Sequence, residues 1–158
     1  MIGTPSKLLG YGLSLALSAS SIHAAGACTR VLYAGYDGLV IAGRSMDWNF
    51  DTRTNLWVFP RGMQRDGTAG ANSAKWTSKY SSLIASAFEA GTADGINEKG
   101  LVANLLYLAD ADCGQADGKP MLSITAWPQY VLDNFATVAE AIEALQTEPF
   151  RLGAPDLA

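Results

Sequence analysis

The chain has 158 residues, a formal net charge of −4 and no basic stripe, so nucleic acid is excluded as an expected partner. The single histidine, His23, lies before the predicted mature start. We therefore expect neither a Ser-His-Asp triad nor a Cys-His dyad in residues 28–158. Two cysteines and the carboxylates are the metal ligands that remain, and from these we expect no zinc site and no cofactor.

Residues 1–27 have the pattern of a secretory signal peptide. Lys7 precedes an apolar run over residues 8–17, and the small residues at 24–27 fit the A-x-A cleavage pattern. The apolar run is too short, and too interrupted by Gly and Ser, to cross a membrane as a helix. We therefore predict export without stable membrane insertion, and a mature domain that begins at Cys28 and extends over the rest of the chain.

The first part of the mature chain has the composition of β-strands. Predicted strands lie at residues 28–36, 39–42, 55–59, 80–88 and 101–108. Asp37-Gly38 is a strong hairpin signal and joins the first two strands. Residues 61–74 are predicted to be a loop, residues 92–95 a turn and residues 96–100 a tight hairpin tip. The strand at 101–108 is apolar enough to be buried on both faces.

The last part of the chain has helical patterns, which cover residues 121–135 and 138–146. Pro128 is expected to kink or divide the first helix. Thr137 and Glu140 form a predicted capping box at the start of the second. Residues 147–158 show no strand pattern. Strands followed by helices predict an α+β fold, with a mainly antiparallel sheet that carries helices on one face.

Cys28 is the strongest candidate for a catalytic residue. As the first residue of the mature chain it would carry a thiol and an α-amine, which are a nucleophile and its general base on one residue. The predicted hairpin returns the end of the second strand towards Cys28. We therefore expect Arg44 to polarise the thiol and Asp47 to orient the α-amine. Asn97, at the predicted hairpin tip, is a candidate donor to an oxyanion.

Each of these residues also has a structural alternative. If cleavage falls elsewhere, Cys28 is an ordinary small buried residue; the residues before it also resemble a weak lipobox, in which Cys28 would be lipidated. Cys28 and Cys113 could instead form a disulfide in an oxidising compartment. Arg44 and Asp47 could be only an ion pair, and Asn97 could simply favour a turn. Taken singly, five aromatic residues are more typical of a core than of a pocket: Trp48, Trp57, Phe59, Trp76 and Tyr107.

Several segments together resemble the choloylglycine hydrolase and penicillin V acylase family. These segments are GRSMDW at 43–48, NLWVFPR at 55–61, TSKY at 77–80, DGINEKGL at 94–101 and the helical stretches around Trp127, 134–135 and 138–140. The resemblance covers essentially all of residues 28–150. It implies an N-terminal nucleophile hydrolase with an αββα sandwich. It also implies hydrolysis of linear amide C–N bonds in small acyl amides, through an acyl-thioester.

The resemblance also assigns roles to residues. It implies that Cys28 is the nucleophile, that Arg44 and Asp47 support it, and that Asn97 belongs to the oxyanion hole. Two further aromatic residues, Trp48 and Tyr107, fall where an acyl pocket is expected.

The signal peptide and the Cys-Thr-Arg start resemble the Gram-negative secreted branch of the family. This branch is periplasmic and favours penicillin V and long-chain N-acyl homoserine lactones over bile salts. Family members are about twice this length and often tetrameric. We therefore expect residues 28–158 to form only the N-terminal half of the fold, unstable alone and of doubtful activity. The alternatives are an inactive truncated relative, and an exported lipoprotein or binding module anchored through Cys28.

Overall fold

The computed structural model describes residues 28–107, 111–114 and 117–153. The predicted signal peptide lies outside these residues. In chain order the elements are β1 (Thr29–Ala34), β2 (Val40–Ser45), β3 (Leu56–Phe59), β4 (Gln64–Asp66), β5 (Lys75–Thr77), β6 (Ser82–Ala87), β7 (Gly91–Asn97), β8 (Val102–Asn104), β9 (Met121–Ser123), α1 (Trp127–Asn134), α2 (Val138–Leu145) and β10 (Arg151–Gly153). Within the described ranges, no helix is long and apolar enough to cross a membrane.

The strands form one four-stranded sheet and three two-stranded ribbons. The sheet has the order β3-β6-β7-β8 and is antiparallel throughout. The ribbons pair β1 with β2, β4 with β5, and β9 with β10, and only the last of these pairs is parallel. Strands and helices therefore combine as the α+β class requires, with α1 packed against the antiparallel sheet.

The β1–β2 ribbon is the predicted hairpin. Asp37 and Gly38 have φ values of 59° and 76° in the connecting turn, a backbone region that Asp and Gly tolerate better than most residues. The register places Thr29 opposite Ser45. The end of β2 therefore returns to the start of β1, beside Cys28, as the sequence predicted.

The core lies between one face of the sheet and α1. Ile84 on β6 and Leu132 on α1 are both almost fully buried. Gly95 on β7 lets the helix approach closely, because a Cβ atom there would lie 2.6 Å from Leu132 Cδ1. Because side chains alternate along a strand, every second residue over positions 94–97 of β7 faces α1 and the residues between them face away from it.

A buried polar cluster joins the β4–β5 ribbon to α1. Asp133 is completely buried and accepts hydrogen bonds from Trp76 Nε1 at 2.7 Å, Gln129 Nε2 at 2.7 Å and Arg65 Nε at 3.2 Å. Burial raises the pKa of the Asp133 carboxyl above its ordinary value, and the three donors oppose this effect. The three donors satisfy the buried carboxylate, as buried polar groups require.

Several sequence-based predictions were wrong in the middle of the chain. The predicted loop at 61–74 contains strand β4, which pairs with β5. The predicted turn at 92–95 lies inside β7. The predicted strand at 101–108 is regular only over β8, and its residues 102–106 are partly exposed rather than buried.

Predictions for the last part of the chain were also only partly correct. Residues 121–135 form β9 and then α1, and Pro128 lies in the first turn of α1, where a proline is tolerated. The Thr137 cap is confirmed, since its hydroxyl accepts the Glu140 N–H at 3.2 Å. The predicted strand-free tail contains β10.

Large apolar side chains remain exposed on the β1–β2 ribbon and on the sheet face turned away from α1. They include Val31, Leu32, Tyr33, Val40, Ile41, Leu56 and Val58. Contiguous apolar exposure of this kind is typical of a surface that another part of a structure covers.

Candidate active site

The candidate site lies where the β1–β2 ribbon meets the edge of the sheet. Cys28 stands immediately before β1 as a half-buried free thiol. Arg44, near the end of β2, places Nη1 at 3.9 Å from Cys28 Sγ. The predicted approach of Arg44 to Cys28 is therefore present, and a fixed cation there would stabilise negative charge on the sulfur.

The Arg44 guanidinium is held on several sides. Its Nε donates to Asp94 Oδ1 at 2.7 Å, and its Nη2 donates to the Leu105 carbonyl at 2.7 Å. A weaker contact of 3.4 Å joins Nη1 to the Ser45 carbonyl. The Arg44 side chain is only 7% exposed. Because the guanidinium is planar and rigid, these bonds fix the direction in which Nη1 points.

Two further residues, Asp94 and Asn104, lie beside Arg44 and are not predicted from the sequence. Together with Cys28 and Arg44 they form what we call the Cys28 cluster. Asp94 on β7 lies opposite Asn104 on β8, and Asn104 Nδ2 donates to Asp94 Oδ1 at 2.8 Å. Asn104 Oδ1 is buried without a partner among the described residues. The sequence predicts a turn at Asp94, and the structure places it in β7. The position of Asp94 in the DGINEKGL segment could have indicated a functional role, whereas no sequence feature indicated one for Asn104.

The two predicted pocket residues lie together. The rings of Trp48 and Tyr107 meet edge to face with centroids 5.8 Å apart. Both rings are about half exposed, which leaves aromatic surface available. Tyr107 follows two residues after Leu105, the backbone contact of Arg44, so the pair lies on the chain segments next to the Cys28 cluster. Their role in an acyl pocket stays a prediction.

Asp47 is exposed and follows the end of β2. No hydrogen bond joins it to Cys28 in the described part of the chain, so its predicted contact with the α-amine stays a prediction.

Asn97 lies elsewhere in the sheet. It is 4% exposed, and its Nδ2 donates to the carbonyls of Leu132 and Phe135 at 2.8 and 2.7 Å. Its Oδ1 accepts the N–H groups of Lys99 and Leu101, both at 3.0 Å, and its own backbone N–H donates to Leu101. Because residues 94 and 97 lie on opposite faces of β7, the structure does not bring Asn97 to the Cys28 cluster. Its predicted oxyanion role stays a prediction that these contacts do not support.

The chemistry available at this cluster is that of a thiol beside a cation. The described ranges hold no group of three His, Cys, Asp or Glu side chains that could bind a metal. Cys28 and Cys113 are separate free thiols, so the alternative of a disulfide between them is not realised. The arrangement suits nucleophilic attack by sulfur with charge stabilisation by Arg44.

Comparison with known proteins gives one consistent family. The model for linear amide C–N hydrolases of the choloylglycine hydrolase family matches residues 28–150. Penicillin V acylase from Pectobacterium atrosepticum is 53% identical over 80% of this chain and 36% of its own length. Bile salt hydrolase/transferase from Clostridium perfringens is 31% identical over 75% of this chain and 37% of its own length.

The fold agrees with that comparison. The solved structure of penicillin V acylase from Agrobacterium tumefaciens superposes with a TM-score of 0.76 at 54% identity, over 80% of this chain and 40% of that one. The predicted α+β fold of an N-terminal nucleophile hydrolase is therefore confirmed for the part that this chain represents. The chain spans about two fifths of the length of the relatives it matches. The chain belongs to the choloylglycine hydrolase family of linear amide C–N hydrolases.

Proposed function

We propose that the whole protein hydrolyses the linear amide bond of small acyl amides through an acyl-thioester on Cys28. The single observation that carries this proposal is the 3.9 Å approach of Arg44 Nη1 to Cys28 Sγ, in a chain of the linear amide C–N hydrolase family. No histidine is present after residue 23. The α-amine of Cys28, freed by removal of the leader, is then the general base.

The reaction follows from these groups. The α-amine takes the thiol proton, and the sulfur attacks the acyl carbonyl to form a tetrahedral intermediate. The C–N bond then breaks, and the departing nitrogen takes the proton back from the ammonium. Water hydrolyses the thioester, which releases the carboxylic acid and restores the thiol. Arg44 stabilises the charge on the sulfur during attack and departure.

An oxyanion also needs hydrogen-bond donors. The contacts of Asn97 use all of its N–H groups. Asn104 shares the Asp94 carboxylate with Arg44 and belongs to the same cluster as the nucleophile. Its second amide N–H has no partner among the described contacts. We therefore propose Asn104, rather than Asn97, as a donor on this side of the carbonyl.

The substrate is proposed from similarity and from the exposed aromatic pair. Relatives of 53% and 54% identity are named penicillin V acylase, and one of 31% is named bile salt hydrolase/transferase. The exposed rings of Trp48 and Tyr107 offer flat apolar surface for a phenoxyacetyl or fatty-acyl group. We propose penicillin V first and N-acyl homoserine lactones second. Export to the periplasm after removal of residues 1–27, and a homotetramer of the whole protein, are further proposals.

The test measures hydrolysis of penicillin V by the exported protein and by Cys28→Ser. We expect Cys28→Ser to lose activity by about 10³-fold or more, since nucleophile removal has effects of this size. Rapid quenching and intact-mass measurement should show one phenoxyacetyl group on the unsubstituted protein. Cys113→Ser, which removes the other thiol, should retain both activity and the adduct. Unchanged hydrolysis by Cys28→Ser, or a diacylglyceryl group on Cys28, would refute the proposal.

A further inference from the structure

Asp94 is the one residue that contacts both Arg44 and Asn104 through its side chain in the described structure. Its Oδ1 accepts Arg44 Nε at 2.7 Å and Asn104 Nδ2 at 2.8 Å. It does not bond to Cys28 itself. One carboxylate oxygen therefore orders two polar side chains from two different strands.

The pair of Asp94 and Arg44 connects the β1–β2 ribbon to the four-stranded sheet. Cys28 and Arg44 belong to the β1–β2 ribbon, whereas Asp94 and Asn104 belong to the four-stranded sheet. The bond from Arg44 to Asp94 thus crosses between two separately paired units. Arg44 makes a second bond to the sheet unit, to the carbonyl of Leu105, which directly follows β8.

Each of the three Arg44 nitrogens has a different principal partner. Nε contacts Asp94, Nη2 contacts the Leu105 carbonyl, and Nη1 is the nitrogen that faces Cys28 Sγ. Since the guanidinium is rigid, fixing the first two nitrogens fixes the third. Without the carboxylate, the long arginine side chain regains rotamer freedom, and the approach of Nη1 to the sulfur is no longer enforced.

We propose that Asp94 is a positioning residue, which holds the Arg44 guanidinium against Cys28 and the Asn104 amide beside it. This inference rests on the proposed function, because it gives Asp94 a role only if Cys28 is the nucleophile. The Arg44 side chain is 7% exposed and Asp94 is 30% exposed, whereas the Arg151–Asp117 pair is 22% and 37% exposed. The positioning role of Asp94 therefore depends on Arg44, whose guanidinium is shielded from solvent and held at two of its nitrogens.

The test measures how fast iodoacetamide alkylates Cys28 near neutral pH in the full chain. Peptide mass spectrometry reports Cys28 and Cys113 separately, so Cys113 serves as the internal reference. We expect Asp94→Ala to lower the Cys28 rate by about tenfold relative to Cys113, since small displacements of a supporting group have large effects on reactivity. Asp94→Asn keeps an acceptor oxygen for Arg44 and should lose only part of the rate, which also covers the case in which Asp94→Ala fails to fold.

A double-mutant cycle separates positioning from general stability. If Asp94 acts through Arg44, then Asp94→Ala in an Arg44→Ala background should change the Cys28 rate by less than about twofold. The matched control is Asp117→Ala, which removes an Asp–Arg pair at the other end of the chain and should leave the Cys28 rate unchanged.

The outcomes distinguish the two proposals. A reactive Cys28 whose rate ignores Asp94→Ala, or falls equally in both backgrounds, overturns the positioning role and leaves the nucleophile in place. A Cys28 that reacts no faster than Cys113 in the unsubstituted chain refutes the nucleophile, and with it the role of Asp94. A loss confined to the Arg44-containing background, with partial rescue by Asn, supports the inference.

Discussion

Replacement of Asn97 by alanine tests whether this residue serves catalysis or structure. The side chain makes four hydrogen bonds, to the carbonyls of Leu132 and Phe135 and from the N–H groups of Lys99 and Leu101. Each net bond contributes about 1 kcal/mol, and each buried partner left unpaired costs about 1–3 kcal/mol. We therefore expect Asn97→Ala to lower the free energy of unfolding by about 4 kcal/mol, a large part of the stability of an ordinary domain.

The assay is urea unfolding followed by tryptophan fluorescence, with the slope of the transition checked for two-state behaviour. Asn72→Ala is the matched control, because Asn72 is exposed and its Nδ2 donates to the carbonyl of Lys119; its effect should stay within about 0.5 kcal/mol. Asn97→Asp keeps the acceptor oxygen and loses both donors, so it should destabilise as well. A stable Asn97→Ala protein that has lost only hydrolysis would refute this reasoning and restore the oxyanion prediction.

Two further predictions concern the layer between the sheet and α1. Gly95→Ala should lower the free energy of unfolding by about 1–3 kcal/mol, because the new Cβ would lie 2.6 Å from Leu132 Cδ1. Gly43→Ala is the control and should cost less, since the nearest contact of its new Cβ is 3.4 Å away. Equal urea unfolding midpoints for the two variants would contradict this. Burial raises the pKa of Asp133, so its contribution to stability is present below its ordinary pKa and is lost as pH rises through the raised value. Unfolding measured from acid to neutral pH should therefore show the unsubstituted protein losing stability relative to Asp133→Asn, and a relative gain would show that the donors outweigh burial.

The sequence predicted those parts of the fold that depend on neighbouring residues. Asp37-Gly38 set the first hairpin, and Thr137 capped the last helix, because both signals act within a few residues. Residues 121–123 form a strand because residues far away in the chain bond to their backbone: residues 151–153 pair with them, and Ser73 bridges to Met121. A short apolar run carries no period that separates a strand from a helix, so this pairing could not be anticipated.

The candidate site could likewise be predicted only where its residues belong to one hairpin. The approach of Arg44 to Cys28 followed from the hairpin, since both residues belong to one ribbon. Asp94 and Asn104 reach that ribbon from a separate sheet, and nothing local encodes this contact. The sequence predicts a tight turn at Asn97 and from it an oxyanion donor, but strand periodicity directs the side chain towards α1, where its polar groups satisfy backbone atoms.

Strand β3 has a consequence for how the chain behaves in solution. It stands at the end of the sheet order, so one row of its backbone groups has no strand partner in the described structure. Leu56 and Val58 along it are 73% and 74% exposed. An open edge with an apolar face is a template for pairing with another strand. The chain alone should therefore self-associate, and its recovery on refolding should fall as protein concentration rises.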